Sequence, residues 1–215
     1  MTNCTGWAMA YQGTPAAISG NDFSGSAQGL NLLAAHNFTL HAPANTWDLA
    51  DAATALNLSN TNTITIDSLT VLGSGGTAIQ TTNCNTVTIN ALATCSKDVG
   101  VYLNGGSNHV VSNSSFGTAT TGIFVNSNVS NAQITDNSFF SVTNEVADNG
   151  IGTTISGSQT VTGDPWCPAP VGATEQTFTV LGAVGNPGDQ DPYIQALPEG
   201  ATEWSQAYLI GAHPW

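Results

Sequence analysis

The chain has 215 residues, and only 7% of them are charged. It contains 14 acidic residues, one lysine and no arginine, which gives a formal net charge of −13. Nucleic-acid binding needs cations that displace the counterions of phosphates, so this charge excludes direct DNA or RNA binding and disfavours anionic polysaccharides and membrane surfaces. No stretch approaches the roughly 18 apolar residues of a membrane span, and residues 1–20 lack the lysine or arginine of a secretory signal.

Residues 1–28 show no periodicity. They contain Trp7, Met9 and Tyr11 among small polar residues. Stacked repeats need covered ends, because an open strand edge pairs with other chains. We therefore expect residues 1–28 to form an irregular cap over the first unit of the repeat that follows.

Between residues 29 and 163 the same apolar positions recur about every 23 or 24 residues. One set of pairs, five residues apart within each pair, is Ile64/Leu69, Val87/Leu92, Val111/Phe116 and Ile134/Phe139. A second set of apolar pairs is preceded each time by a small residue: Ala55, Ala78, Gly100 and Gly122. A fixed period of this length indicates stacked structural repeats.

Each period contains short strands and no helical stripe. Segments 63–66 and 86–89 alternate threonine with β-branched apolar residues, and clusters of glycine, asparagine and serine separate such segments. The prediction is an all-β fold, a single-stranded parallel β-helix of about five or six coils. Asparagines should stack from coil to coil in its turns, and Ile64, Val87, Val111 and Ile134 should form one buried column.

This repeat resembles the right-handed parallel β-helix of pectin-lyase-like enzymes and phage tailspikes, over roughly residues 29–160. The resemblance implies the fold. It also implies what an enzyme of this kind would contain: the lyases generally use arginine, lysine and a bound cation, and the hydrolases need two carboxylates facing one groove.

The sequence predicts no catalytic residue. It has no arginine, and Lys97 lies in the turn Ser96–Asp98, where a solvated side chain is expected. Asp67 and Asp136 would lie three coils apart and one residue out of column, too distant to act together.

Glu145 and Asp148 are the only local carboxylate pair in the repeat. The stretch from Ile123 to Ile151 is longer than one period of the repeat, which indicates an insertion. These two residues are therefore predicted to lie on a protruding loop, either a functional protrusion or simply a solvated loop.

No metal or cofactor site is predicted. The four cysteines (Cys4, Cys84, Cys95, Cys167) and four histidines (His36, His41, His109, His213) lack the spacings of metal ligands. Asp189 and Asp191 resemble part of a calcium loop whose other ligands are missing. We expect reduced thiols and no export from the cytoplasm.

Residues 164–215 depart from the repeat and are rich in proline, which is incompatible with regular central strands. Three of the five tryptophans, Trp166, Trp204 and Trp215, lie here. The prediction is a C-terminal cap or docking segment with these tryptophans as candidate anchors.

Two functional hypotheses follow. The first is a non-enzymatic phage virion structural protein, a capsid decoration (cement) protein or a small tail-associated protein, made in the host cytoplasm. It would be a homo-oligomer, a trimer, bound to a capsid or tail protein with a basic surface. The alternative is a tailspike-like protein that binds a neutral host-surface glycan, or a depolymerase acting on a neutral polysaccharide.

Overall fold

The computed structural model describes residues 5–15, 18, 23, 25–41, 46–49, 53–161, 193–196 and 208–212. The chain divides into two compact units, Met1–Pro168 and Ala169–Trp215. The described residues form strands and turns without a helix. None of them therefore belongs to a helix that is long and apolar enough to span a membrane.

Nineteen short strands build the described part of the first unit. In chain order they are β1 (Trp7–Gln12), β2 (Gln28–Leu33), β3 (His36–His41), β4 (Thr46–Asp48), β5 (Leu56–Ser59), β6 (Asn62–Asp67), β7 (Thr70–Leu72), β8 (Thr77–Asn90), β9 (Ala93–Cys95), β10 (Val99–Ser107), β11 (Val110–Ser112), β12 (Ser115–Gly117), β13 (Thr121–Val125), β14 (Val129–Ser130), β15 (Gln133–Thr135), β16 (Ser138–Phe140), β17 (Asn144–Asp148), β18 (Thr154–Ser156) and β19 (Gln159–Val161).

Strands of successive coils lie side by side and parallel. One sheet follows the order β1-β2-β5-β8-β10-β13-β17, and a second follows β19-β16-β12-β9-β7-β4. Seven strands along the first path correspond to a solenoid of about 6 turns. The predicted all-β parallel β-helix is confirmed.

The solenoid begins earlier than the sequence suggests. Strand β1 pairs in parallel with β2, from Trp7 opposite Gln28 to Gln12 opposite Leu33. Part of the predicted cap at residues 1–28 is therefore a strand of the first coil. The sequence pattern misses this strand because Tyr11 stands at a position that leucine occupies in the next coils. The Tyr11 side chain is 43% exposed.

The four apolar residues that were predicted to form one buried column belong to two neighbouring columns. Ile64, Val87, Val111 and Ile134 are all buried. Ile64 pairs with Val87, but Val111 pairs with Ile89 and with Ile134. The predicted register of this coil is therefore wrong by two residues. Because the side chains of a strand alternate with a period of two, such a shift keeps every apolar residue on the core side.

The small residues before each apolar pair make room for the core. A Cβ added to Gly100 would lie 2.3 Å from the Phe116 ring, and one added to Gly122 would lie 2.5 Å from the Phe139 ring. Phe116 and Phe139 stack with centroids 5.3 Å apart. Two earlier coils have alanine at this position, and these two have glycine, because the phenylalanine ring fills the space that a methyl group would need.

Asparagine ladders tie the coils together at the surface. Asn57 donates to Asn31 at 2.8 Å, Asn85 to Asn62 at 3.0 Å, Asn90 to Asp67 at 2.9 Å and Asn126 to Asn104 at 2.9 Å. The predicted stacking of asparagines from coil to coil is confirmed, but most of these asparagines lie within strands and not in turns as expected. One corner repeats a left-handed backbone in five coils, at Asn37, Thr63, Thr86, Asn108 and Asn131.

The described part of the second unit consists of two strands, β20 (Tyr193–Ala196) and β21 (Tyr208–Ala212), which pair antiparallel. The three predicted docking residues Trp166, Trp204 and Trp215 lie outside the described residues, as do Asp189 and Asp191.

Candidate functional site

One row of side chains points outward from the longer sheet, parallel to the solenoid axis. Its members occupy matching positions of five successive coils: Asn31, Asn57, Gln80, Tyr102 and Phe124. All five are half-buried, although they face away from the core. They cover one another along the row because coils are only about 4.8 Å apart.

Tyr102 and Phe124 form an aromatic pair on this outer surface. Their ring centroids are 5.2 Å apart and the rings cross at 82°. The neighbouring residues Val101, Leu103 and Ile123 are fully buried, so the strands that carry the two rings are anchored in the core. The pair has the edge-to-face geometry that aromatic rings favour.

Amide side chains flank the aromatic pair. Nδ2 of Asn126 donates to Oδ1 of Asn104 at 2.9 Å and lies 3.4 Å from the hydroxyl of Tyr102. Below the rings, Nδ2 of Asn57 donates to Oδ1 of Asn31. These bonds fix the orientation of the amides, while an amide has further donor and acceptor positions to offer a ligand. We call these seven residues the amide–aromatic face: Asn31, Asn57, Gln80, Tyr102, Asn104, Phe124 and Asn126.

The amide–aromatic face carries no charged side chain. The residues beside its lower amides, Ser59 and Thr82, are also neutral and pair with each other across coils. An uncharged surface with ring faces, amides and hydroxyls is suited to a ligand that is itself polar, uncharged and partly apolar. The sequence interpretation named no residue of this face. The available signal was two aromatics one period apart, each between two core residues.

The carboxylates singled out in the sequence do not lie on a loop. Glu145 and Asp148 belong to strand β17, which pairs with β13 from Thr121 opposite Asn144 to Val125 opposite Asp148. Ile123 pairs with Val146, one ordinary period later, so there is no insertion and the predicted protruding loop is wrong. The inferred insertion came from matching Ile123 with Ile151 on the basis of residue type alone.

The other acidic candidates also stay apart. Asp67 pairs across coils with Asn90, whose row continues through Ser112 to Thr135. Asp136 follows Thr135, so it lies one position further along the chain and three coils above. The structure does not bring these two carboxylates together.

Lys97 is fully buried, with 0% of its surface exposed. Its Nζ donates to the carbonyl oxygen of Ala53 at 3.4 Å, 44 residues earlier in the chain. The expectation that Lys97 is a solvated turn residue is therefore wrong. Its side chain turns inward and reaches back over two coils. A lysine in this position is unavailable to a ligand at the surface.

The cysteines differ from one another. Cys84 is a buried free thiol that accepts a hydrogen bond from the Thr61 hydroxyl at 3.2 Å and donates to the Leu58 carbonyl at 3.3 Å. Cys95 is disulfide-bonded. The expectation of reduced thiols is therefore wrong for Cys95. Pairing between distant segments cannot be read from cysteine spacing.

His109 occupies a core position. It takes the place next to Val87 in the column that begins with Phe38 and Ile64, and it is fully buried. Its Nε2 lies 3.2 Å from the Gly105 carbonyl, while Nδ1 has no hydrogen-bond partner among the described residues. Burial lowers the pKa of His109 and favours the neutral ring.

Metal-binding side chains do not converge in the part of the chain that the structure describes. It contains no group of three or more histidine, cysteine, aspartate or glutamate residues that could hold a metal ion. Metal binding also enters through the description of the family that the chain matches. A family model described as "Periplasmic copper-binding protein (NosD)" matches residues 2–163. The chain belongs to the NosD family. No curated protein and no solved structure matches it significantly.

Membership of the NosD family supports a right-handed parallel β-helix repeat protein. The described residues do not fit a copper site. Copper(I) prefers sulfur ligands and copper(II) prefers imidazole nitrogen. The thiol of Cys84 is held between Thr61 and Leu58 in the core, and Nε2 of His109 lies against a backbone carbonyl.

Proposed function

We propose that this NosD-family protein is a non-enzymatic β-helix that binds a neutral glycan through its amide–aromatic face. The observation that carries the proposal is the outward pair of Tyr102 and Phe124, 5.2 Å apart on a rigid sheet and flanked by ordered amides. Two large aromatics on an outer surface, beside the amides of Gln80, Asn104 and Asn126, favour a ligand-binding role.

Sugar chemistry matches this surface. The C–H faces of a pyranose are apolar and pack on aromatic rings, and its hydroxyls pair with amide donors and acceptors. The absence of charged side chains from the face favours an uncharged ligand. The net charge of −13 opposes anionic polysaccharides at long range.

A binding role without catalysis is supported by the placement of the carboxylates. Glycoside hydrolysis needs two carboxyl groups that face each other across one substrate. Asp67 and Asp136 lie in different rows, and Glu145 and Asp148 are on the last described strand of the sheet. We therefore expect no release of reducing or unsaturated ends from polysaccharides, including by a Glu145→Gln, Asp148→Asn variant.

An oxidising compartment is part of the proposal. The disulfide at Cys95 favours the periplasm or the cell exterior over a reducing cytoplasm. The periplasmic description of the NosD family supports the same location. Copper binding is not proposed, since the described residues offer no ligand set. Placement on a virion, a capsid or tail partner and a trimeric state stay predictions.

Affinity electrophoresis through gels that contain neutral or anionic polysaccharides tests the proposal. The wild-type chain should be retarded by at least one neutral glucan, mannan, galactan or xylan and by none of the anionic gels. A Tyr102→Ala, Phe124→Ala variant should migrate freely in all of them. A wild-type chain that no neutral glycan retards would contradict the proposal.

A further inference from the structure

The last described coil of the solenoid, residues 144–161, interrupts the core. We call it the end coil. Glu145 takes the position that Gly122 holds one coil below, and Asp148 pairs with Val125. Gly122 and Val125 are both buried. The two carboxylates therefore stand in rows that are core rows in the coils beneath.

Apolar side chains of the end coil are exposed. Ile155 pairs with Ile134, which is fully buried, yet Ile155 itself is 49% exposed. Ile151 donates its N–H to the carbonyl of buried Val129 and is 68% exposed. Among the described residues only four large hydrophobic side chains are exposed, and these two are the most exposed of them.

The backbone of the end coil is open as well. Strands β17, β18 and β19 each pair with one strand of the coil below, namely β13, β15 and β16, and with no other described strand. Within the described part of the chain, these three strand edges have N–H and C=O groups with no further partner strand. Such edges are templates for pairing with another chain.

The charges decide which partner can cover this end. Any partner removes Glu145 and Asp148 from water, which is unfavourable unless cations compensate them. This chain has no arginine, and its single lysine is fully buried. A second copy therefore has no lysine or arginine to offer, and like charges on the facing edges oppose stacking of like chains.

We infer that the end coil is a docking surface for a different protein. The partner presents lysine or arginine side chains beside apolar residues and pairs with the open edges by strand addition. Its cations meet Glu145 and Asp148, and its apolar residues cover Ile151 and Ile155. The inference does not rest on glycan binding, because none of the residues that carry it belongs to the amide–aromatic face.

A labelled peptide that alternates valine with lysine serves as the probe, and a peptide of equal length that alternates valine with glutamate is its mismatch. Fluorescence anisotropy with the full chain should detect binding of the lysine peptide alone, and the affinity should fall as salt rises. The Glu145→Gln, Asp148→Asn variant should lose about tenfold or more in affinity. Both substitutions preserve the hydrogen-bond acceptors toward Thr160, Gly150 and Thr153.

Asp136→Asn is the matched control, because it removes an exposed carboxylate one coil below and outside the core rows. It should leave the affinity unchanged, while Ile155→Ser should reduce it. An equal loss with Asp136→Asn, or no loss with the double variant, would overturn the inference. So would stacking of wild-type chains through residues 144–161 in sedimentation and cross-linking. Exchange protection of the β17–β19 amides equal to that of lower coils would also overturn it.

Discussion

At the residue scale, the core of the solenoid contains two ionisable side chains that the apolar pattern of the sequence does not predict. Lys97 runs through the core to the Ala53 carbonyl, and His109 stands in a column with Ile64 and Val87. Neither is visible in the sequence as a core residue. Serine and aspartate flank Lys97 and suggest a turn, and asparagine precedes His109. In both cases the inward direction is set by the coil, which the local sequence does not reveal.

Lys97 should be a structural residue. Lys97→Ala removes a fully buried side chain, and we expect the free energy of unfolding to fall by about 2–5 kcal/mol, the range for large-to-small core substitutions. Urea denaturation measures the change. In the native wild-type chain the Lys97 amine should also resist acylation. Rapid acylation together with a change of under about 0.5 kcal/mol would mean that the side chain is solvated.

His109 should make stability depend on pH. Burial lowers its pKa below the ordinary value of 6.5, so between these two pKa values the unfolded chain binds a proton that the folded chain does not. The free energy of unfolding is therefore retained above about pH 6.5 and declines as the pH falls below it. His109→Ile, which places the side chain of Ile64 at another position of the same column, should flatten the decline between about pH 7.5 and 5.5. An identical pH profile in the variant would argue against a buried neutral ring.

At the scale of the strand, side-chain alternation defines the core, and it can be tested at two adjacent residues. Val111 is fully buried and Ser112 lies on the outer face, where its hydroxyl donates to Asn90. Val111→Asp buries an unpaired charge and should lower the free energy of unfolding by about 3 kcal/mol or more. Ser112→Asp should change it by less than about 1 kcal/mol. Equal effects of the two variants would contradict the observed register.

The strands also mark how far sequence reasoning reaches. The alternation at residues 63–66 and 86–89 specifies strands with one buried face, and the period specifies stacking. The same alternation does not say which of two core columns a residue joins, so Val111 is assigned two residues away from its true partner. A separate error of the same kind, matching Ile123 with Ile151 where the true partner is Val146, produces the false insertion around Glu145 and Asp148. The hydrogen-bonded pairing between coils identifies the column of each residue, which residue type alone does not determine.

At the scale of the whole molecule, the described solenoid presents a neutral face along its side and two carboxylates on its last described coil. The sequence carries a signal for the face, since Tyr102 and Phe124 stand one period apart between core residues, but the contact between their rings appears only in the structure. The disulfide at Cys95 was not predictable either, since cysteine spacing carries no information on pairing between segments. A neutral ligand was already among the hypotheses drawn from the sequence, because a composition with one lysine and no arginine disfavours anionic ligands.

Isothermal titration calorimetry with soluble neutral and anionic polysaccharides tests the central claim most directly. The wild-type chain should bind a neutral glycan, and the Tyr102→Ala, Phe124→Ala variant should lose that binding without loss of fold. Phe140→Ala, which removes a half-buried aromatic from the other sheet, should bind as the wild type does. Equal binding by all three chains, or binding of anionic polysaccharides alone, would contradict the account.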